Sequence, residues 1–211
     1  MIKSGAVCVN GEVQKSPDFK CGDGDSITAE GRTLDARKFV YIMMNKPKGV
    51  ICATDGKGDK TVLDLLPEDM RRKGLFPAGR LDKDTTGFVL ITDDGDFAHR
   101  ILAPTKHIVK TYIAVLDKPV TDEVISDFEA GMTLGEEKLL PAKLTPLDGC
   151  TVQVEIAQGI YHQIKRMFKK HKIEVLELKR VKMGALELDE NLGEGECRYL
   201  DSAEINRICQ K

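Results

Sequence analysis

Strict alternation in Thr151-Val152-Gln153-Val154-Glu155-Ile156, apolar at every even position, predicts a strand with one buried and one wet face. Phe88-Val89-Leu90-Ile91-Thr92 and Phe39-Val40-Tyr41-Ile42-Met43-Met44 are continuous apolar runs, which predict strands buried on both faces. Residues 109–116 alternate around Lys110, Tyr112 and Ala114, and Val50-Ile51-Cys52 predicts a further short strand. Near the N-terminus, Ala6-Val7-Cys8-Val9 runs into Asn10-Gly11 and returns through Glu12-Val13. That dipeptide tolerates positive φ at both positions, as a two-residue hairpin requires. Gly22-Asp23-Gly24-Asp25 predicts another turn, ahead of a strand at Ser26-Ile27-Thr28. Helical periodicity is confined to residues 96–102, 121–130, 161–171 and a last segment opening at Asp201. Thr121 and Gly131 bracket the second of these, and Asp201 with Glu204 three residues on makes a capping-box pattern in the fourth. Strands joined by short turns, with helices set against them and no βαβ rhythm, predict an α+β fold around a mostly antiparallel sheet.

Residues 1–34 hold too little apolar surface for a core of their own and are expected to form a small β appendage. A charged link, Asp35-Ala36-Arg37-Lys38, joins it to a main body from residue 39 to 211. With 41% hydrophobic and 31% charged residues, the chain is neither disordered nor collagen-like. The net charge of −2 argues against a simple polycationic binder of nucleic acid but leaves local patches open. Cys8, Cys21, Cys52, Cys150, Cys197 and Cys209 are scattered, without a C-x-x-C pair or a histidine at ligand spacing. This is the usage of a reduced, cytoplasmic protein without a metal site. No apolar run approaches a membrane span, so no membrane partner is expected.

Two segments carry candidate chemistry. Gly79-Arg80-Leu81-Asp82-Lys83-Asp84-Thr85-Thr86-Gly87 is a glycine-bounded loop just before an apolar strand, where a rigid scaffold displays reactive groups. Its Asp82, Asp84, Thr86 and Asp93 imitate a calcium loop, but Pro77 and Gly79 break the entering side and a strand follows, so the flanking helices are missing. The second segment runs from Tyr161 to Lys182. Eight basic side chains face two acidic ones there, a local charge of +6 that favours a polyanion-facing surface. An aspartate on a rigid loop beside a basic helix reads as a nucleophile that nearby cations keep ionised.

In their order along the chain, Asn45-Lys46-Pro47-Lys48-Gly49, Gly79-Arg80-Leu81-Asp82, Lys110-Thr111-Tyr112, and Tyr161 to Phe168 resemble the motifs of pseudouridine synthases that modify bacterial ribosomal RNA. Leu178, Arg180 and Gly184, then Gly195-Glu196, Arg198 and Leu200, continue the resemblance to the end of the chain. It implies the fold of that family: a mixed, mostly antiparallel sheet with flanking helices around a central RNA-binding cleft. It also implies isomerisation of uridine to pseudouridine in ribosomal RNA, without cofactor or metal, by a cytoplasmic monomer. Asp84-Thr85-Thr86-Gly87, Thr92-Asp93-Asp94-Gly95 and Lys110-Thr111-Tyr112 look most like the small-subunit (16S) enzyme. The substrate would then be free 16S RNA or an assembly particle. The alternatives are a large-subunit (23S) enzyme of the same branch and a noncatalytic RNA-binding assembly protein. By the resemblance Asp82 is the nucleophile, Tyr112 packs on the uracil and relays the C5 proton, and Lys165 pairs with Asp82. Arg80, Asn45, Lys46, His162, Gln163, Arg166 and Arg180 are then expected to bind RNA. Two departures stand out. Gln158-Gly159-Ile160 replaces the usual Glu-Gly-Arg, and residues 1–34 resemble only the second half of an S4-type RNA-binding domain.

Overall fold

The computed structural model describes residues 1–22, 24–34, 37–103, 106 and 108–210. The chain divides into two units, Met1–Val40 and Tyr41–Lys211.

The first unit is a four-stranded antiparallel sheet in the order β2-β1-β3-β4, built from β1 (Val7–Val9), β2 (Glu12–Val13), β3 (Ile27–Ala29) and β4 (Arg32–Leu34). Asn10 and Gly11 take φ of 52° and 85°, the left-handed pair that the β1–β2 hairpin needs. Glu30 and Gly31 do the same between β3 and β4, at 51° and 77°. Glutamate is an uncommon choice for that conformation, so this hairpin is hard to read in sequence. Part of the turn expected at 22–25 (Asp23) and part of the charged link (Asp35, Ala36) lie outside the described residues.

The second unit is an α+β body. Its strands are β5 (Tyr41–Lys46), β6 (Phe76–Ala78), β7 (Thr86–Thr92), β8 (Lys110–Leu116), β9 (Thr133–Leu134), β10 (Glu137–Lys138), β11 (Lys143–Asp148), β12 (Thr151–Ile156), β13 (Val175–Met183), β14 (Leu186–Glu187) and β15 (Cys197–Tyr199). Its helices are α1 (Gly95–Leu102), α2 (Asp122–Ala130), α3 (Gln163–Lys170) and α4 (Ser202–Ile208). The main sheet runs β11-β12-β8-β13-β7-β5-β15, with β6 added on β7 and β14 on β13. Every pairing in it is antiparallel except β7 with β13. The strand expected at Val50–Cys52 does not form. Ile51 makes only an isolated bridge to Thr61, because the loop around it is held by other contacts rather than by a sheet edge.

Helix ends follow local chemistry. Asp94 accepts from the Phe97 backbone N–H at 2.9 Å and caps α1, while Asp201 and Glu204 complete the capping box of α4. Each such cap is worth about 1 kcal/mol. α3 begins two residues later than its periodicity suggests, since His162 is left-handed at φ 50° and ψ 34°. One apolar layer joins Met43, Phe88, Leu90 and Met183 of the sheet to Phe97 and Ile101 of α1 and Ile208 of α4. Residues of opposite parity on β5 and β7 face the other way. There α2 packs on β11, and Phe128 of α2 meets Phe168 of α3 with ring centroids 4.9 Å apart.

Candidate active site

Strand register assembles the floor of the site. Lys46 stands opposite Gly87, Gly87 opposite Arg180, Arg180 opposite Tyr112, Tyr112 opposite Val154, and Val154 opposite Leu144. Directly paired residues share a face, so these six form one row across the sheet, on the side away from α1 and α4. Gly87 has no side chain, which lets the backbone of Arg180 pass where a Cβ would stand.

Above this row sits the loop between β6 and β7. Lys46 is wholly buried, and its ammonium donates to the carbonyls of Pro47 (3.0 Å), Lys83 (3.3 Å) and Thr85 (2.7 Å). The Gly49 N–H donates to the Lys83 carbonyl at 2.8 Å, and the Leu81 N–H points at the buried Cys52 sulfur at 3.4 Å. Burial drives the Lys46 pKa down. An ammonium is tolerated there because carbonyl dipoles satisfy it. The loop is thereby fixed on both sides of Asp82, whose carboxylate stays about a quarter exposed (27%).

Asp82 has two basic side chains beside it, one from α3 and one from the entry to α3. Lys165 Nζ lies 3.5 Å from Asp82 Oδ2, and His162 Nε2 lies 3.5 Å from Oδ1. Lys165 is held more tightly by Asp84, at 2.5 Å. Burial pushes the Asp84 carboxyl up, but the hydrogen bond and charge of Lys165 outweigh it and leave the pKa below the ordinary value. Lys165 thus stands between two carboxylates. Asp84 is named in the motifs but is not among the expected site residues, although its place two residues after Asp82 on a turn is a usable signal. Lys165→Met is expected to let the Asp84 carboxyl rise toward its ordinary pKa, read by carboxylate NMR titration. The same variant should lower kcat about 10²-fold with KM within about threefold if the cation 3.5 Å from Asp82 acts on the chemical step rather than on binding.

Other residues expected at the RNA surface are placed differently. Lys46 is beneath the loop rather than on it. Asn45, 4% exposed, belongs to the opposite face of the sheet by parity and donates from Nδ2 to the Leu192 carbonyl at 2.8 Å. Gln163, also 4% exposed, accepts from the Ile160 N–H at 3.3 Å and so holds the entry to α3. Arg166 is drawn away from Asp82 by Glu137 at 2.7 Å and by the carbonyls of Tyr161 and Leu134. In this structure Lys46, Asn45 and Gln163 are buried and Arg166 is paired with Glu137. Arg180 is buried as well, and its Nε donates to the Phe88 carbonyl at 2.7 Å. Arg80 is exposed, and His162 is half-buried. Gln158, in the departure from the family pattern, accepts from the Leu140 N–H at 3.0 Å.

Lys110, two residues before Tyr112 on β8, is buried opposite Ile156 and Met183. Burial pushes its pKa down to about 8 from 10.5, with Arg180 adding repulsion. Between those two values the unfolded chain binds a proton that the folded chain does not, so stability rises with pH across that window. Urea midpoints of the wild type should therefore climb from pH 8 toward 10.5 relative to Lys110→Met, which lacks the group. Parallel curves for the two proteins would refute the shift.

The match of residues 40–170 to the RNA pseudouridylate synthase family model covers most of this sheet, the Asp82 loop and α3. The chain belongs to the RNA pseudouridine synthases. It is similar to an uncharacterized RNA pseudouridine synthase, YtzG, of Bacillus subtilis, at 45% identity over 99% of this chain and 90% of that one. It is likewise similar to the ribosomal small subunit pseudouridine synthase A of Escherichia coli, at 41% identity over 98% of this chain and 90% of that one. A crystal structure of a pseudouridylate synthase superposes with a TM-score of 0.76 at 39% identity, over 98% of this chain and 90% of the other. A pseudouridine synthase is an isomerase: the chain converts uridine in RNA to pseudouridine. Among the described residues, no helix is long and apolar enough to cross a membrane.

Proposed function

We propose that this pseudouridine synthase acts on a uridine of small-subunit ribosomal RNA, with Asp82 as its nucleophile. The observation that carries the catalytic part is Asp82 itself. Its carboxylate projects from a loop pinned by Lys46 and Gly49, between His162 and Lys165. A carboxylate on a fixed loop beside an ammonium is placed to act as a nucleophile. The small-subunit part rests on end-to-end similarity to synthases named for that substrate, among them the Salmonella typhimurium enzyme at 42% identity over 98% of the chain.

In the reaction the bond from C1′ to N1 of the uracil breaks, the base turns, and C1′ joins C5. A proton leaves C5 and one is taken up at N1, so the atoms balance without a cofactor. Asp82 assists the cleavage of the glycosidic bond. Tyr112 packs on the detached uracil and relays the C5 proton, and exposed Arg80 contacts the RNA beside it. The target must leave its stack, an unpairing cost of a few kcal/mol that backbone contacts offset. Those contacts come from the exposed Lys169, Lys170 and Lys172 at the end of α3. The protein acts as a monomer in the cytoplasm, and residues 1–34 are a partial S4-like appendage.

Mapping pseudouridines in rRNA from cells with and without the protein tests the assignment. Loss at one 16S uridine is expected. Loss confined to 23S would overturn the small-subunit reading, and no loss in either would overturn ribosomal RNA as the substrate. Changing Lys169, Lys170 and Lys172 together to Gln should flatten the salt dependence of RNA binding by about 0.7–0.9 per lost phosphate contact. An unchanged slope would show that the phosphates are bound elsewhere.

A further inference from the structure

Tyr161 is 76% exposed, the most exposed of the large hydrophobic side chains among the described residues. Its ring stacks on His162 with centroids 3.9 Å apart and planes 15° from parallel. His162 in turn reaches Asp82 Oδ1 at 3.5 Å. Such exposure is not the slack of a loose loop. Arg166, anchored on Glu137 at 2.7 Å, donates to the Tyr161 carbonyl at 3.3 Å. Gln163 exchanges hydrogen bonds with Ile160, through its side chain at 3.3 Å and its backbone N–H at 3.2 Å. His162 is held at φ 50°, a sparsely populated conformation that persists only when its surroundings enforce it. Two supports and one strained residue therefore fix an aromatic ring in water, with one face covered and the other open.

We propose that the open face of Tyr161 is a stacking site for an unpaired RNA nucleobase next to the target uridine. This inference rests on the RNA-modifying reading above. A flat, half-covered aromatic ring at the edge of a basic helix suits bases of any identity, since each offers a π-face and a phosphate to the nearby cations. The base bound there is a neighbour and not the target. Asp82 meets the His162 ring and not that of Tyr161, so the open face of Tyr161 is one residue removed from the carboxylate. Stacking one flanking base outside the site also holds the strand open while the target uridine enters.

The chain contains no tryptophan, so Tyr161→Trp introduces a single indole reporter. Combined with Asp82→Asn to prevent turnover, it can be titrated with single-stranded oligouridylate, with the same strand annealed to oligoadenylate, and with an abasic ribose-phosphate oligomer of equal length. Indole emission should be quenched by oligouridylate alone, with the same midpoint as filter binding. In the Asp82→Asn background with Tyr161 intact, the abasic oligomer should bind about tenfold more weakly than oligouridylate, and Tyr161→Ala should shrink that difference severalfold while Tyr161→Phe keeps it. Oligouridylate that saturates the protein without quenching, or equal quenching by the duplex, would overturn the stacking site. Neither result would touch the synthase reading, which stands or falls on pseudouridine formation by the wild-type chain. Failure to bind oligouridylate would likewise overturn the stacking site and leave the synthase reading to the wild-type assay.

Discussion

Asp82→Asn is expected to lower pseudouridine formation by roughly 10³-fold or more while RNA affinity stays within about threefold. The amide has nearly the shape of the carboxylate, and with its one oxygen toward Lys165 it turns its NH2 toward His162, the two neighbours that stand 3.5 Å from the carboxylate oxygens. Folding should survive, because Lys165 retains its closer partner Asp84 at 2.5 Å. The loop itself is held by backbone groups and Lys46, none of which the substitution touches. What is lost is a group able to act as nucleophile. A single-turnover assay on the RNA fragment containing the mapped uridine, with filter binding on the same samples, separates the two effects. Turnover within about tenfold of the wild type would remove Asp82 from the catalytic role.

The second large effect concerns the floor of the site. Gly87→Ala should destabilise the protein by about 3 kcal/mol or more in urea denaturation. A Cβ at Gly87 would come 2.2 Å from the Arg180 carbonyl oxygen and 2.9 Å from its nitrogen, and the residue holds φ +95°. Both obstacles are backbone, so no side-chain rotation relieves them. The parallel pairing they guard is short, with Lys179 opposite Thr86 and Arg180 opposite Gly87, and it joins the strand leaving the Asp82 loop to the strand beside Tyr112. Gly49→Ala isolates the conformational part. Gly49 has a similar φ of +87° with no atom within 4 Å of a Cβ, and its substitution should cost about 1 kcal/mol. Equal losses in the two variants would mean that the close approach of β7 and β13 contributes nothing.

Much of this protein is legible along the chain because its determinants are short-range. The alternation at Thr151–Ile156, the Asn10-Gly11 hairpin and the capping box at Asp201 each depend on residues within a few positions of one another. The Asp82 loop stands out for the same reason, as a glycine-bounded turn before an apolar strand. Other features were settled only by tertiary structure. Val50–Cys52 has the composition of a strand but finds no continuous partner beyond one bridge. The resemblance implies RNA contacts at Lys46, Asn45, Gln163 and Arg166, whereas the fold buries the first three and gives Arg166 a partner in Glu137. Asp84 outcompetes Asp82 for Lys165 because α3 is set down where it is, across 81 residues of sequence. The row from Lys46 to Leu144 draws on five strands besides that of Lys46 itself. Periodicity assigns a face within one strand. Which polar groups share that face, and which of them water or RNA can reach, is decided by register between strands far apart in the chain.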